Sequence, residues 1–297
     1  MVNSVSPWRP LFLIFLCLIP VFISSRRLPS SGVALHHTPA LIRGPMQCCF
    51  LSFDRIRKAI DRARVETYVQ DINLQLQKRE RVERLLLVMD LGEAFSRSCR
   101  SADGNLMLLG NSDKVSLPES ILTQLTDSNV AVPWQFVIQK VHRCDLAKKE
   151  LPQGVNLPST VGDTFSKEEG HKERLSCASM DFRTQDNFIF LPRWMMDSLD
   201  LQPYDVVYLS QLKLPEAIFV RLAPLDDSFF ELDAPKAVLE EHLKHFSTLT
   251  RGAKIPITHE GVTYHLRVVS IETEDCSDVE CASIQDLDVS IDLVRTP

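Results

Sequence analysis

Two histidines and a run of carboxylates are the groups in this sequence whose spacing could support chemistry. His242 and His245 are three residues apart in a segment of helical periodicity, so both imidazoles would share one helix face and could ligate a metal ion. The carboxylates between Glu272 and Asp292 could do the same, with only Arg295 nearby in sequence. A solvated helix face and an acidic surface are the simpler interpretations, and we favour them for both groups.

The short motifs of several enzyme classes are missing from the chain. There is no GxxxxGK[ST] loop, so we do not expect the chain to hydrolyse a nucleotide itself, and there is no GxSxG nucleophile elbow. Asp-Thr-Gly and Asp-Ser-Gly, which mark aspartic proteases, are absent, and no glycine is followed by serine. The sequence therefore predicts no catalytic group, no bound metal and no cofactor.

Charge is distributed unevenly along the 297 residues, whose net charge is −6. Residues 1–53 carry four Arg and no acid, and residues 54–100 carry eleven Lys/Arg against eight Asp/Glu. Residues 101–297 carry eighteen Lys/Arg against thirty-one Asp/Glu. Because nucleic-acid binding needs a cationic surface that displaces counterions, we expect no nucleic-acid partner.

The eight cysteines form neither a CxxC pair nor a Cys/His spacing typical of zinc. A disulfide framework would be denser and more regular, so we expect reduced and mostly structural thiols. Cys276 and Cys281 are the one pair that could bridge across a tight loop.

The N-terminus has the composition of a targeting segment. An apolar run, Leu11–Ile19, follows Arg9 and leads to Ser24-Ser25, which predicts a signal peptide over residues 1–25. Residues 26–53 carry Arg and Ser without acids, as transit peptides do. A signal followed by a transit segment is the address of proteins that enter the secretory pathway and continue into a complex plastid. The alternative is a plain signal or anchor before a disordered spacer, which would leave the protein in the endoplasmic reticulum.

Residues 54–104 read as a helical segment and a linker. Apolar residues recur at helical spacing along it: Val65, Val69, Ile72, Leu76, Val82, Leu85, Leu86 and Met89. Such a helix could bind a partner or form a short coiled coil. It could also belong to the mature end of the transit region, or pack on the folded domain. The Ser-rich stretch from Gly92 to Gly104 reads as the linker.

A nine-residue pattern occurs twice in the next part of the chain. Leu117-Pro118-x-x-Ile121-Leu122-x-x-Leu125 matches Leu191-Pro192-x-x-Met195-Met196-x-x-Leu199 at every named position. In each copy a hydrophobic strand precedes Leu-Pro, and the spacing after it predicts a short helix with one apolar face. Two such units predict a pseudo-duplicated double-psi β-barrel over 105–229, with a loop insertion at about 148–172. Trp194, Met195 and Met196 could form an exposed partner contact, but their place in the repeat favours core packing.

The remaining residues, 230–297, have the pattern of an α+β unit. Asp233 could cap a helix over Lys236–Leu249 that has Pro235 in its first turn and Leu239 and Leu243 on its apolar face. His259-Glu260-Gly261 separates two β-type runs, which predicts a hairpin. We therefore expect a helix docked on a small curled sheet, a β–α roll.

Several of these segments resemble the N-terminal domain of the ubiquitin fusion degradation protein one family. The resemblance covers about Asp113–Asp292 and is most specific in Phe190-Leu-Pro-Arg-Trp-Met-Met196. The residues that carry it are expected to be structural and are Leu117, Pro118, Phe190, Leu191, Pro192, Trp194, Met195, Met196, Pro235 and Gly252. The residues that would bind ubiquitin are not identified by the sequence.

The resemblance implies a double-psi barrel followed by a β–α roll, in a substrate-recruiting cofactor that is not an enzyme. Its implied partners are ubiquitin or a ubiquitin-like protein, an AAA+ unfoldase of the valosin-containing protein type, and a nuclear protein localisation partner. Membrane association would come only through that complex, which extracts ubiquitylated proteins. With a bipartite address, the chain resembles a relocated copy that serves preprotein import into a complex plastid.

Two departures from the family pattern bear on this expectation. Family members carry a long tail with docking motifs, whereas this sequence stops five residues after Asp292, and the insertion at 148–172 has no family counterpart. The docking contacts of that tail are then lost, replaced by another segment such as the 54–100 helix, or missing from this version of the sequence. Two other functional classes also stay open: a barrel hydrolase or decarboxylase with an unrecognised site, and a scaffold protein of the secretory pathway.

Overall fold

The structure is a computed structural model, and it describes residues 46–79, 81–92, 110–141 and 174–295, with side chains from residue 55 onward. The predicted signal peptide, most of the transit-like segment, the linker up to Gly104 and the insertion at 148–172 lie outside the described residues. The chain divides into two compact units, Met1–Cys49 and Phe50–Pro297, and apart from the first four residues of α1 the features below belong to the second unit.

The described residues form a predominantly β structure with a few helices, which confirms the mixed β and α+β class. The strands are β1 (Glu83–Asp90), β2 (Lys114–Pro118), β3 (Gln135–Val141), β4 (Arg174–Thr184), β5 (Phe188–Leu191), β6 (Val206–Gln211), β7 (Ala217–Pro224), β8 (Thr248–Thr250), β9 (Lys254–His259), β10 (Val262–Thr273), β11 (Cys281–Ser283) and β12 (Ser290–Leu293). The helices are α1 (Met46–Leu76), α2 (Glu119–Asp127), α3 (Arg193–Ser198) and α4 (Pro235–Leu243), with a 3₁₀ helix at Asp227–Glu231. None of these helices is long and apolar enough to cross a membrane.

The first six strands close into a barrel in the order β1-β5-β2-β4-β3-β6. Exchanging β1 with β4, β2 with β5 and β3 with β6 reproduces the same ring of neighbours. The exchange also preserves the strand directions, because β1–β5 and β2–β4 are both parallel and β1–β6 and β3–β4 are both antiparallel. The barrel is therefore built from two topologically equivalent halves.

Each half carries one Leu-Pro unit in the same position. Pro118 ends β2 and caps α2, and Pro192 follows β5 and caps α3, so proline sits one position before the predicted first turn. Extended backbone at each proline suits a residue that leaves a strand and enters a helix. Except for the half-buried Leu122, the apolar positions of both repeats belong to the same core, where Leu117, Leu191 and Met196 are fully buried.

The helix predicted to run on through Met89 ends earlier, at Leu76, and residues 83–90 form barrel strand β1. Leu85 and Leu87 pack under α1, while Leu86 and Val88 point into the barrel. A run buried on both sides fits a strand between two layers, whereas a helix on a surface buries one face only. Several roles were left open for this helix, and its C-terminal part has one of them: it packs on the folded domain, where Val69, Ile72 and Leu76 contact the barrel.

The second sheet has the order β12-β7-β10-β9, and α4 covers one face of it. β7 pairs with β10 and β12, so the predicted boundary at 229/230 is wrong for this strand: the second fold unit begins at β7. The sequence placed β7 in the barrel because a buried-type strand does not reveal which sheet it joins. β8 and β11 form a separate two-stranded sheet.

The predicted hairpin is confirmed, because β9 and β10 pair with His259 opposite Val262. Glu260 and Gly261 between them have φ values of 50° and 81°, the left-handed geometry of a tight two-residue turn. The predicted helix cap is wrong: Pro235 begins α4, as expected, but the capping position falls on Ala234, which makes no side-chain cap. The helix also stops at Leu243 rather than Leu249.

Candidate protein-binding surface

Most of the family-signature residues lie in or beside the barrel core. Leu117, Pro118, Leu191, Pro192, Met195 and Met196 are buried, and Phe190 is half-buried in β5. Pro235 is half-buried at the first turn of α4, and Gly252 is an exposed turn residue with a φ of 82°. The burial of Met195 and Met196 places both thioethers in the barrel core rather than on a partner-binding surface.

Trp194 connects the barrel to the second fold unit. Its indole packs against both hydrophobic cores, and its ring centroid lies 6.1 Å from that of Phe246, just beyond α4. The indole Nε1 donates a hydrogen bond of 2.9 Å to the carbonyl oxygen of Ser112. A half-buried tryptophan with a satisfied N–H fixes the relative position of the elements that it touches.

Asp113 is the central polar group of the same junction. Its carboxylate precedes β2 of the barrel and accepts hydrogen bonds from the backbone N–H groups of Ser247 and Thr248 at 3.0 and 2.8 Å, and from the Thr248 hydroxyl at 2.8 Å. Burial raises the pKa of this carboxyl, although the nearby Lys114 ammonium and the three donors lower it. The buried carboxylate therefore acts as a cap for β8.

Further hydrogen bonds join the two fold units across the junction. Gln135 Nε2 donates to Ser283 Oγ at 2.6 Å, and the backbone N–H of Ser176 donates to Thr250 Oγ1 at 2.8 Å. All of these donors and acceptors are buried, where a lost partner would leave an unsatisfied group. We call this set of buried hydrogen bonds the polar seam, and it joins the barrel and the second fold unit into one packed body. Sequence patterns did not predict it.

The histidines that could have ligated a metal ion do not form a metal centre in the described residues. His242 lies at the end of α4, and partial burial lowers the pKa of its imidazole, with further lowering from the charges of His245 and His259. No group of three His, Cys, Asp or Glu side chains of the kind that holds a metal occurs in the part of the chain that the structure describes. His242 is thus a half-buried residue of the last turn of α4, and His245 is a half-buried residue of the turn that follows.

The carboxylates between Glu272 and Asp292 are spread over several elements. Asp278 pairs with Arg251, and Asp292 lies 3.5 Å from Arg221 Nε. Cys276 is exposed and Cys281 is buried, and both are free thiols, so the disulfide considered from their spacing is not formed. Burial raises the pKa of the Cys281 thiol to about 12, which keeps it protonated and unreactive.

A small cavity of about 120 Å³ lies between α1 and the barrel. Arg84 is buried at its wall, where it donates to the carbonyl of Glu83 at 2.7 Å and to the side-chain carbonyl of Gln124. Burial lowers the pKa of this guanidinium to about 10, and the charge of Asp186 on the rim opposes that shift. The rim carboxylate offsets the buried cation, so the cavity offers little net charge to a ligand.

A groove of about 470 Å³ lies in the second fold unit, between α4 and the chain that leads into β12. We call it the α4–β12 groove. Its apolar lining residues are Val220, Leu243, Leu249, Ile284, Leu287, Val289 and Ile291, and its charged lining residues are Glu240, Lys244, Asp286 and Asp288. Lys244 is ion-paired with Glu241 at 2.8 Å, so the rim is acidic overall.

The α4–β12 groove, with apolar and acidic lining residues on a rigid two-part body, is a candidate protein-binding surface. Two family models match consecutive parts of the chain: ubiquitin fusion degradation protein UFD1, N-terminal subdomain 1, over residues 98–215, and N-terminal subdomain 2, over residues 216–296. The chain belongs to the ubiquitin fusion degradation protein 1 family. The boundary between the two models falls just before β7, where the strand pairing also divides the fold.

Individual relatives agree with this assignment. The chain is similar to ubiquitin fusion degradation protein 1 of Saccharomyces cerevisiae, with 28% identity over 59% of this chain and 40% of that protein. It is 31% identical to the Caenorhabditis elegans homolog over 62% of this chain and 46% of that protein. It is also 28% identical to the human ubiquitin recognition factor in ER-associated degradation protein 1, over 52% and 51%. The chain thus spans about half the length of the curated relatives that it matches.

Proposed function

We propose that this protein is a non-enzymatic cofactor that binds ubiquitin, or a ubiquitin-like modifier, on proteins destined for an AAA+ unfoldase of the valosin-containing protein type. The observation that carries the proposal is the pair of consecutive family matches, which coincides with a barrel and a sheet–helix unit joined by a buried polar seam. A rigid body of this kind can hold a modified protein in a fixed orientation while the unfoldase acts on it.

The proposed assembly includes a nuclear protein localisation type partner alongside the unfoldase. Relatives named for ubiquitin fusion degradation and for ubiquitin recognition in ER-associated degradation support this assignment. The task would be the extraction or translocation of proteins at a membrane, which the cofactor would contact only through the complex. The helix α1 lies before the family-matched residues, and its exposed side chains Ile56 and Ile60 are available to such partners.

The finer fold assignment is also part of this proposal: the barrel is of the double-psi kind, and the second fold unit is a β–α roll. The exchange symmetry of the six barrel strands supports the first assignment. The single helix α4 packed on a curled four-stranded sheet supports the second.

We further propose that residues 1–53 direct the protein through the secretory pathway to an outer compartment of a complex plastid. The basis is the apolar run followed by an acid-free, Arg- and Ser-bearing stretch. A fusion of residues 1–53 to a fluorescent protein, expressed in a host with such a plastid, tests this directly. Accumulation around the plastid supports the address, and retention in the endoplasmic reticulum contradicts it.

Isothermal titration calorimetry of the full chain with ubiquitin and with ubiquitin chains tests the central function. We expect saturable binding that is tighter for chains than for single ubiquitin, because several weak contacts raise the effective concentration. A folded protein of similar size and charge that is not ubiquitin-like serves as the control and should give no signal. Absence of binding to every ubiquitin-like protein would overturn the proposal, and hydrolytic activity abolished by one substitution would favour the barrel-hydrolase alternative.

A further inference from the structure

Helix α1 carries apolar side chains on two opposite faces. Val69, Ile72 and Leu76 pack on the barrel. Ile60 and Val69 are nine residues apart, which is about two and a half helical turns, so Ile60 lies on the side of α1 that faces away from the barrel. Its side chain is 47% exposed. The barrel cannot cover this second face, because a helix packed on it presents only one side to it.

The second face is an apolar stripe in the first part of the helix. Ile56, Ala59, Ile60 and Ala63 have the i, i+3, i+4, i+7 spacing of residues that share one side of a helix. All four residues are exposed, and the side chain of Ile56 is 54% exposed. We call this face the α1 stripe. A stripe with this spacing is the part of an amphipathic helix that enters an apolar groove on another protein.

Cations border the α1 stripe. Residues 55–64 carry five Lys or Arg and one acid, which gives them a net charge of +4. At roughly 100° per residue, Arg55 and Arg57 flank Ile56 on its two sides. The single acid, Asp61, lies on the side of the helix away from the stripe. The α1 stripe is therefore complementary to an apolar site with an acidic border.

The α4–β12 groove of this protein has that complementary chemistry. Its lining is largely apolar, and its acidic lining residues Glu240, Asp286 and Asp288 are all exposed. Its volume of about 470 Å³ lies within the range of roughly 300–1,000 Å³ that is typical of sites for drug-sized molecules. Two isoleucine side chains are smaller than such a molecule, so the groove has room for Ile56 and Ile60.

Within one copy of the chain the α1 stripe stays exposed. α1 is one continuous helix up to Leu76, and its last turns are fixed on the barrel. The guanidinium of Arg62 also stacks over the ring of Tyr204, with its Cζ 4.1 Å from the ring centroid. Because the helix is held in this position, the complement of its stripe has to come from a second molecule.

We propose that two copies of this protein associate by placing the α1 stripe of one copy in the α4–β12 groove of the other. Ile56 and Ile60 supply the apolar contact, and the neighbouring arginines meet the carboxylates of the groove. Every copy carries both surfaces, so the same contact can form twice in a two-fold dimer. The proposal does not rest on ubiquitin binding. The contact covers side chains that are available to an unfoldase or its partner, so self-association would compete with their recruitment.

Sedimentation velocity of the full chain tests the proposal. An interface of this size is expected to bind in the micromolar range, so the protein is measured from about 1 to about 300 µM. A reductant is included, because Cys276 is an exposed thiol that could form an intermolecular disulfide. The average mass should rise above that of one chain as the concentration increases. It should rise less at high salt, because the charges in the contact are screened.

Charge reversal on each surface tests the pairing itself. Arg55→Glu combined with Arg57→Glu places carboxylates against the acidic groove and should weaken self-association by at least about tenfold. Glu240→Arg combined with Asp288→Arg should have the same effect from the side of the groove. An equimolar mixture of the two double variants should regain association, because each reversed surface then meets a surface of opposite charge.

A matched control separates the stripe from the general charge of α1. Lys58→Glu combined with Lys78→Glu makes the same change in charge outside the stripe, since Lys58 lies on the opposite side of the helix and Lys78 lies beyond its end. This variant should associate within about twofold of wild type. All the substituted side chains are exposed, so every variant should keep the circular dichroism spectrum of the wild type.

Three results would overturn the proposal. The first is a wild-type protein that remains monomeric throughout the concentration range, and the second is equal weakening by the stripe variant and its control. The third is a mixture of the two folded double variants that does not regain association. A monomeric wild type that binds vesicles containing phosphatidylserine, with binding lost in the stripe variant, would assign the α1 stripe to a membrane surface and would also overturn it.

Discussion

The barrel and the second fold unit solve the problem of exposed strand edges in opposite ways. The six barrel strands close on themselves, so each strand has a neighbour on both sides, whereas the second sheet is open and ends at β12. Closure removes backbone edges and fills the interior with apolar side chains. An open sheet keeps a ladder of hydrogen-bonding groups available. Among the described strands, closure thus leaves the barrel without an exposed strand edge, whereas the second fold unit has a buried core of its own and keeps an edge at β12.

The barrel and the second fold unit are not independent domains, because the buried hydrogen bonds of the polar seam join them. Asp113 and Gln135 reach from the barrel to β8 and to Ser283 of β11, the strand pair that packs between the two units. Because these bonds are buried, separating the units would expose several donors and acceptors at once. The open sheet can therefore keep an unpaired edge while its position stays fixed by the barrel.

The largest expected effect comes from breaking the barrel core. Phe136→Ala removes a fully buried aromatic side chain of β3 and should lower the free energy of unfolding by about 3–5 kcal/mol. Urea unfolding followed by circular dichroism measures the loss. The matched control in the second sheet is Val262→Ala, whose side chain is 52% exposed and whose loss should be within about 0.5 kcal/mol of zero. Similar losses for both variants would contradict the full burial of Phe136 in the barrel core.

Breaking the seam should have the next largest effect. Asp113→Ala leaves the amides of Ser247 and Thr248 without acceptors and should cost roughly 2–4 kcal/mol, since each unsatisfied buried donor carries a desolvation penalty. Hydrogen exchange should also speed up at β8, which the carboxylate caps. Asp275→Ala, in an exposed turn, is the control and should change neither quantity. Unchanged exchange at β8 in Asp113→Ala would show that the carboxylate does not hold the junction.

The β9–β10 turn offers a smaller test within the open sheet. Gly261 has a φ of 81° with open space where a Cβ would lie, so Gly261→Ala introduces backbone strain without a clash. We expect a loss of about 1 kcal/mol in the free energy of unfolding. Gly92→Ala is the comparison, because no positive φ is recorded there and an added Cβ meets only a side-chain oxygen at 3.9 Å. A larger loss for Gly92→Ala would mean that the turn geometry is wrong.

The smallest expected effect is on the pH dependence of stability, through His242 of the second fold unit. Partial burial and the charges of His245 and His259 hold the pKa of His242 below its unfolded value. The unfolded chain then binds more protons than the folded chain, so this contribution is present at neutral pH and is lost as pH falls through the lowered pKa. His242→Gln should therefore lose less stability than wild type between about pH 7 and about pH 5, measured as urea midpoints. An equal loss in both proteins would contradict this.

Parts of the fold follow from local sequence rules. The Leu-Pro repeats placed α2 and α3, and His259-Glu260-Gly261 placed the hairpin, because each depends on the conformational limits of proline or glycine and on nearby apolar spacing. β1 was missed because its apolar residues could also be read at helical spacing, although the five consecutive apolar residues of Leu85–Met89 were the signal for a strand.

The candidate surface depends on long-range pairing and could not be predicted in the same way. Leu243 and Ile291 line one groove although they lie far apart in the chain, and nothing in either segment indicates that they meet. The role of Asp113 is similar, since its partners Ser247 and Thr248 are 134 and 135 residues away. Single-residue patterns carry no information on such contacts, whereas the family resemblance carried the order of the two fold units.

Cross-linked affinity purification of the tagged full-length protein from its native host, read by mass spectrometry, tests the proposed function most directly. The account predicts that an AAA+ unfoldase and a ubiquitin-like modifier are recovered together with the protein. Recovery of the folded protein with neither of them would contradict the account, because it would leave a family fold that no longer recruits modified proteins to an unfoldase.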